Sequence, residues 1–165
     1  YSTTDLDELL IVPSYDHPHK TSVASYNDRI HMCRETFDFE VSDIDSICDG
    51  TTWDLITQLN HRSKNDYQFI MGGDCGQDIR TWHRYEELLT RVKFITVTRR
   101  GVADRGIHYD LRNSNDHTIM KLDIPNVISS TKVRKSIANG NPLYRHVSSA
   151  VAEIITKQGL YRETQ

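Results

Sequence analysis

Five short apolar segments recur along this chain, and segments with helical spacing separate most of them. That alternation constrains the fold more than any other feature. Residues 8–13 read as a buried strand closed by Pro13, and residues 37–42 alternate apolar and polar as a second strand. Residues 67–72 form a third, stopped by Gly72-Gly73; residues 93–98 and 118–124 supply the fourth and fifth. Helices are predicted over 25–36, with Ser25 as its cap, and over 52–62, 81–91, 130–139 and 148–158, the last two ended by Gly140 and Gly159. Trp53 reads as a core residue of the second helix. The polar stretch 101–116 reads as a surface loop. Strand alternating with helix implies parallel βαβ units, and hence an α/β fold with a doubly wound parallel sheet.

The chain has 165 residues, which suits a single domain over 1–165 that buries roughly 70% of its unfolded surface. A net charge of −3 gives no global basic field for nucleic acid or for an anionic membrane surface, so any phosphate must be held by local groups. No apolar run approaches the roughly 18 residues of a membrane span. Cys33, Cys48 and Cys75 match no zinc or CxxC spacing, and free thiols suit a reducing, cytoplasmic setting.

Ligands of open α/β sheets sit at the C-terminal strand ends, so those positions carry the candidate chemistry. In Ile128-Ser129-Ser130-Thr131-Lys132-Val133-Arg134, three hydroxyls open a helix whose free N–H groups attract an anion. Arg134 lies one turn beyond Ser130 and offers a guanidinium fork. The same pattern serves equally as a plain helix cap with a surface arginine. In Met71-Gly72-Gly73-Asp74, glycines allow close approach to the backbone, and the carboxylate can accept from ribose hydroxyls. A turn with a capping Asp gives the same residues. Pro18-His19-Lys20 offers a donor and a point charge for phosphate, or else a solvated loop. Trp82 can stack on a planar heterocycle, or fill the core.

Taken together and in this order, these segments resemble the nicotinate (or nicotinamide) mononucleotide adenylyltransferases, and most closely the bacterial nicotinate type of this nucleotidyltransferase superfamily. The resemblance runs from about Leu6 to Tyr161. It is carried by Val12-Pro13-Ser14-Tyr15-Asp16-His17-Pro18-His19-Lys20, by Arg29 and Met32, and by Val41-Ser42-Asp43-Ile44-Asp45. It continues in Thr51-Thr52-Trp53-Asp54-Leu55-Ile56, Gly72-Gly73-Asp74, Trp82-His83-Arg84-Tyr85-Glu86-Glu87-Leu88, Ile128 to Arg134, and the closing stretch from Val151 to Tyr161. The hydroxyl-rich signature is shared with transferases such as phosphopantetheine adenylyltransferase. Pro18-His19-Lys20 and Trp82 are more particular to the pyridine-nucleotide branch.

The resemblance implies a Rossmann-like nucleotidyltransferase fold and an enzyme of NAD biosynthesis that transfers AMP from ATP to a pyridine mononucleotide and releases pyrophosphate. It assigns Ile128, Ser129, Ser130, Thr131 and Arg134 to the ATP phosphates, with Gly72 and Asp74 on the adenosine ribose side. Thr52 and Trp82 fall to the pyridine nucleotide, His19 and Lys20 to the substrate phosphates, and Arg134 and Lys20 carry the catalytic charge. Mg²⁺ would be bound through the ATP phosphates, with no protein metal ligands, and a homo-oligomer stays open. One departure is large. The family's opening strand, first helix and Gly-x-Phe-x-Pro-x-His-x-Gly-His loop have no counterpart in the present sequence, where Asp5-Leu6-Asp7-Glu8 looks like the segment just after that helix. Activity is therefore expected where that loop precedes Tyr1. The rival readings are a non-catalytic nucleotide-binding or scaffold homologue without the loop, and a related adenylyltransferase with another phosphorylated acceptor.

Overall fold

The computed structural model describes residues 6–16, 24–99, 107, 109–112, 116–123, 129–142 and 147–162. In chain order these form β1 (Leu10–Ile11), α1 (Tyr26–Arg34), β2 (Glu40–Val41), a 3-10 turn (Ile44–Ile47), α2 (Thr52–Arg62) and β3 (Gln68–Gly72). There follow α3 (Gly73–Gln77), a second 3-10 turn (Ile79–Thr81), α4 (Tyr85–Arg91), β4 (Lys93–Arg99), α5 (Tyr109–Arg112), β5 (Thr118–Leu122), α6 (Ser130–Ala138) and α7 (Ser149–Gln158). All five predicted strands are present, and every described strand pairing is parallel. The chain divides into two compact units: Tyr1–Gly50 with Ile128–Gln165, and Thr51–Val127.

In the first unit, β1 and β2 pair with Leu10 opposite Glu40 and Ile11 opposite Val41. The predicted cap Ser25 accepts from the Asp28 N–H at the start of α1, and Ser148, predicted as the first residue of the last helix, instead caps α7 by accepting from the Val151 N–H. Gly159 ends α7 at φ 65°, a left-handed conformation in which glycine meets no Cβ clash. Helices α1 and α7 pack together. Ile137 of α6 and Val151 and Ile155 of α7 form a buried cluster, closed by Met32, Val133, Leu160 and Tyr161. The acidic segment after β2 has a structural role, since buried Asp45 accepts from the Tyr15 N–H at 2.6 Å. Arg29 on α1 donates to the Ser14 and Tyr15 carbonyls, so the Ser14-Tyr15 segment is tied down from two sides.

In the second unit the sheet order is β3-β4-β5, and β4 is central. Its Phe94, Ile95, Thr96 and Thr98 are all buried. Phe94, fully buried, meets Phe69 at 5.8 Å, Trp82 at 6.2 Å and His117 at 5.6 Å between ring centroids, each edge to face. This arrangement sets the positive edge of one ring against the negative face of another. His117 also accepts the Phe94 N–H at Nδ1, at 3.2 Å. Helix α3 packs on β4, where Gly76 leaves room for a neighbour: a Cβ there would stand 3.2 Å from the Thr96 methyl.

Three expectations change. The predicted helix over 81–91 begins only at Tyr85, because Trp82 is extended and Arg84 is left-handed at φ 54°, which a right-handed helix cannot contain. Trp53 is half-buried rather than part of the core, and Leu55, Ile56 and Leu59 form the buried face of α2. The stretch 101–116, read as a surface loop, contains helix α5, and its Ile107 and Leu111 are buried at 4% and 0% exposure. Leu111→Ala is therefore expected to cost about 2–5 kcal/mol in denaturant unfolding, whereas a loop leucine would stay within about 0.5 kcal/mol.

Burial holds the His117 imidazole below its ordinary value of 6.5, with Asp116 pulling weakly the other way. The unfolded chain then takes up this proton at a higher pH than the folded one. Stability associated with neutral His117 is present above about pH 6.5 and is lost as pH falls through the lower folded value. His117→Asn, whose amide oxygen can still accept from Phe94, is expected to flatten the fall in Tm between pH 7 and 5.

Candidate functional site

Candidate residues fall in both units. In the first, Ser129 caps α6 at φ −137° and ψ 150°, and its Oγ accepts from the Lys132 N–H at 3.3 Å. Ser129, Ser130, Thr131, Lys132 and Arg134 are all exposed, while Val133 and Ile137 turn inward. Apolar spacing thus anchors one face of α6 and turns the hydroxyls and cations to solvent. Arg134 reaches back to the Thr131 hydroxyl at 3.5 Å. No acidic residue lies in the first turn of α6. This is the reverse of ordinary helix chemistry, in which acids gather at the positive N-terminus and bases at the C-terminus. Lys132 and Arg134 near that end add charge of the same sign, an arrangement that an anion relieves. Tyr161, left-handed at φ 61°, packs with Val133 against the Ile137, Val151 and Ile155 cluster. Burial raises its phenol, and Arg134 and Arg29 act in the opposite sense.

In the second unit, Gly72 closes β3 and caps α3, and exposed Asp74 lies in the first turn of α3. The Gly-Gly-Asp segment is thus a strand-to-helix junction at a C-terminal strand end. Its two glycines differ. A Cβ at Gly72 would meet nothing within 4 Å, so this backbone is open to approach. One at Gly73 would touch the Thr98 methyl at 3.4 Å, so Gly73 serves packing.

Thr52 is the first residue of α2, just after Thr51, whose hydroxyl accepts from the Asp54 N–H. Trp82 follows the second 3-10 turn and is half-buried, edge to face with Phe69 at 5.9 Å as well as with Phe94. The neighbours of these two residues touch. Trp53, next to Thr52, lies under the Arg84 guanidinium, which is 4.0 Å from its ring centroid, and under that of Arg91 at 4.7 Å. Arg84 also forms a fork with Glu87: Nε donates to Oε1 at 2.7 Å and Nη2 donates to Oε2. These hydrogen bonds hold the Glu87 carboxyl below its ordinary range. Arg91 donates to the Thr57 hydroxyl at 3.0 Å. A left-handed arginine is strained, and the cation–π contact to Trp53 offsets part of that strain. The sequence showed Arg84 and Glu87 three apart, but their link to Trp53 is tertiary and had no local signal.

Ile128, His19 and Lys20 lie outside the described residues. Among the described residues no group of three or more His, Cys, Asp or Glu is placed to hold a metal ion, and no helix is long and apolar enough to cross a membrane. An open depression lined by Asn65, Tyr67, Lys93 and His117 lies at the N-terminal ends of β3 and β4, the opposite strand ends from Gly72 and Asp74.

Comparison with known proteins bears on the family and the fold. The cytidylyltransferase-like family model matches residues 2–136. A probable nicotinate-nucleotide adenylyltransferase of Thermoanaerobacter sp. (strain X514) is 30% identical, across 97% of this chain and 82% of the relative. One of Clostridium tetani (strain Massachusetts / E88) is 29% identical, across 95% and 85%. Among solved structures, Plasmodium falciparum nicotinic acid mononucleotide adenylyltransferase complexed with NaAD superposes with a TM-score of 0.76 at 20% identity, covering 93% of this chain and 82% of that one. Its complex with APC gives 0.72 at 22% identity with the same coverage. The structural likeness establishes the α/β nucleotidyltransferase fold. With the family model covering most of its length, this chain belongs to the cytidylyltransferase-like family of nucleotidyltransferases.

Proposed function

We propose that this protein is an adenylyltransferase of NAD biosynthesis that transfers AMP from ATP to nicotinate mononucleotide. The observation that carries the reading is the start of α6, where hydroxyls and cations gather at a helix N-terminus that has no acid in its first turn. The names of the relatives and their near full-length alignment support the same reading. The printed name of those relatives favours the nicotinate acceptor over the nicotinamide one.

In this reading a phosphate oxygen of the mononucleotide attacks the α-phosphorus of ATP. The bond from that phosphorus to the β-bridging oxygen breaks, pyrophosphate leaves with the electron pair, and the dinucleotide forms. The nucleophile is already anionic at neutral pH, so the protein supplies position and charge rather than a base. Ser129, Ser130, Thr131 and Arg134 contact the ATP phosphates, together with Ile128 and its backbone. Gly72 and Asp74 take the ribose side of adenosine, where the open Gly72 backbone allows close approach. Thr52 and Trp82 take the pyridine nucleotide, His19 and Lys20 the substrate phosphates. Arg134 and Lys20 bear the transferred charge.

Mg²⁺ would enter with ATP and would supply screening of the phosphate charge. The cysteines Cys33, Cys48 and Cys75, which match no zinc or CxxC spacing, suit a reducing cytoplasm. We read residues 1–165 as one functional domain.

Arg134→Ala in the full-length protein is expected to lower kcat/KM by about tenfold or more, because a charge-assisted phosphate contact contributes about 1.5–3 kcal/mol. Product analysis with ATP and each of nicotinate mononucleotide, nicotinamide mononucleotide and phosphopantetheine tests the acceptor. Full activity of Arg134→Ala, or turnover of phosphopantetheine alone, rejects the assignment.

A further inference from the structure

We propose that Arg84 is a positioning residue for the acceptor: it fastens the segment that carries Trp82 to the start of the helix that carries Thr52. The proposal rests on the reading of Thr52 and Trp82 as acceptor contacts, and adds the device that sets one relative to the other.

Four observations converge on this residue. Arg84 adopts φ 54° and ψ 41°, a conformation natural to glycine and uncommon for a long side chain. The position keeps an arginine nonetheless, and its side chain makes contacts that glycine would lack. Its guanidinium lies 4.0 Å from the Trp53 ring centroid, and Trp53 is bonded directly to Thr52. Two residues before Arg84 comes Trp82, extended and edge to face with Phe69 and Phe94. Finally, Glu87 holds the guanidinium from one side through two parallel hydrogen bonds, so its plane is fixed while its face meets the indole.

The second cation completes the clamp. Arg91, the last residue of α4, lies over the same indole and donates to Thr57 on α2. Helix α4 is thus pinned to α2 at both of its ends through one ring. At the front end, the left-handed residue sets the direction in which the chain leaves α4 toward Trp82. Releasing that contact would leave the Trp82 segment held only by the Phe69 and Phe94 rings, without unfolding either helix. Arginine suits this position better than lysine, because a planar fork satisfies a carboxylate and a ring face together, while an ammonium is a point charge.

Kinetics and fluorescence of the full-length protein test the clamp. Arg84→Gly keeps the backbone conformation accessible and removes the side chain, so it is expected to fold with Tm within a few degrees of wild type. Its KM for nicotinate mononucleotide should rise about tenfold, the loss of roughly one such contact, while its KM for ATP stays within about twofold. Trp53→Leu should act alike. Trp53→Phe, which keeps a ring under the cations, should retain most of the acceptor affinity, and Arg84→Lys should fall between. Residues 1–165 hold two tryptophans, Trp53 and Trp82, so with Trp53→Phe and any tryptophan outside this stretch replaced, the emission of Trp82 is followed, and adding Arg84→Gly should red-shift it before any substrate is present. Unchanged Trp82 emission with unchanged acceptor KM overturns the proposal, as does a parallel rise of both KM values together with a large fall in Tm. If the wild type makes no dinucleotide, or Trp82→Ala leaves acceptor KM unaltered, the acceptor reading fails instead, and the emission shift still decides whether Arg84 holds Trp82.

Discussion

The second unit is organised around the burial of one side chain, Phe94. It is the second residue of the central strand, is fully excluded from solvent, and touches Phe69, Trp82 and His117. Its backbone N–H is satisfied by the same His117 that packs on its ring. Polar satisfaction and apolar packing are therefore joined at one position, and neither partner can be changed without disturbing the other. The candidate acceptor residue Trp82 packs edge to face against this cluster.

Most of the fold was legible because its signals are local. Ser25, Thr51, Ser129 and Ser148 announce helix starts through a hydroxyl that accepts from a nearby N–H, and each does so. Gly159 announces an end through the left-handed region. What escaped was set by tertiary contact. Arg84 breaks the apparent helix because of what its side chain meets, and Trp53 leaves the core because two arginines cover it. Ile107 and Leu111, four residues apart, did carry the spacing of a buried helical turn, but the surrounding charges masked it.

The candidate site divides in the same way. The α6 signature was readable since a helix N-terminus and its hydroxyls are local features, and the structure adds the feature a motif does not convey, exposed cations near a first turn without acid. The two glycines of Gly72-Gly73-Asp74 look equivalent in sequence. The structure separates them: Gly73 is packed against Thr98, while Gly72 faces open space. Side-chain space is a property of the neighbours, and no pattern of residue types along the chain encodes it.

The charge arrangement of α6 also bears on how this protein behaves in solution. A helix that collects cations near its positive end is less comfortable in a medium of weakly bound anions than in one containing phosphate or sulfate. Anions that bind the folded form and not the unfolded one stabilise it by mass action. Buffer composition is thus a structural variable for this chain: under the proposed reading a phosphate buffer would occupy the same electrostatic niche as the nucleotide, and would mask in a thermal scan the stabilisation that the nucleotide itself would confer.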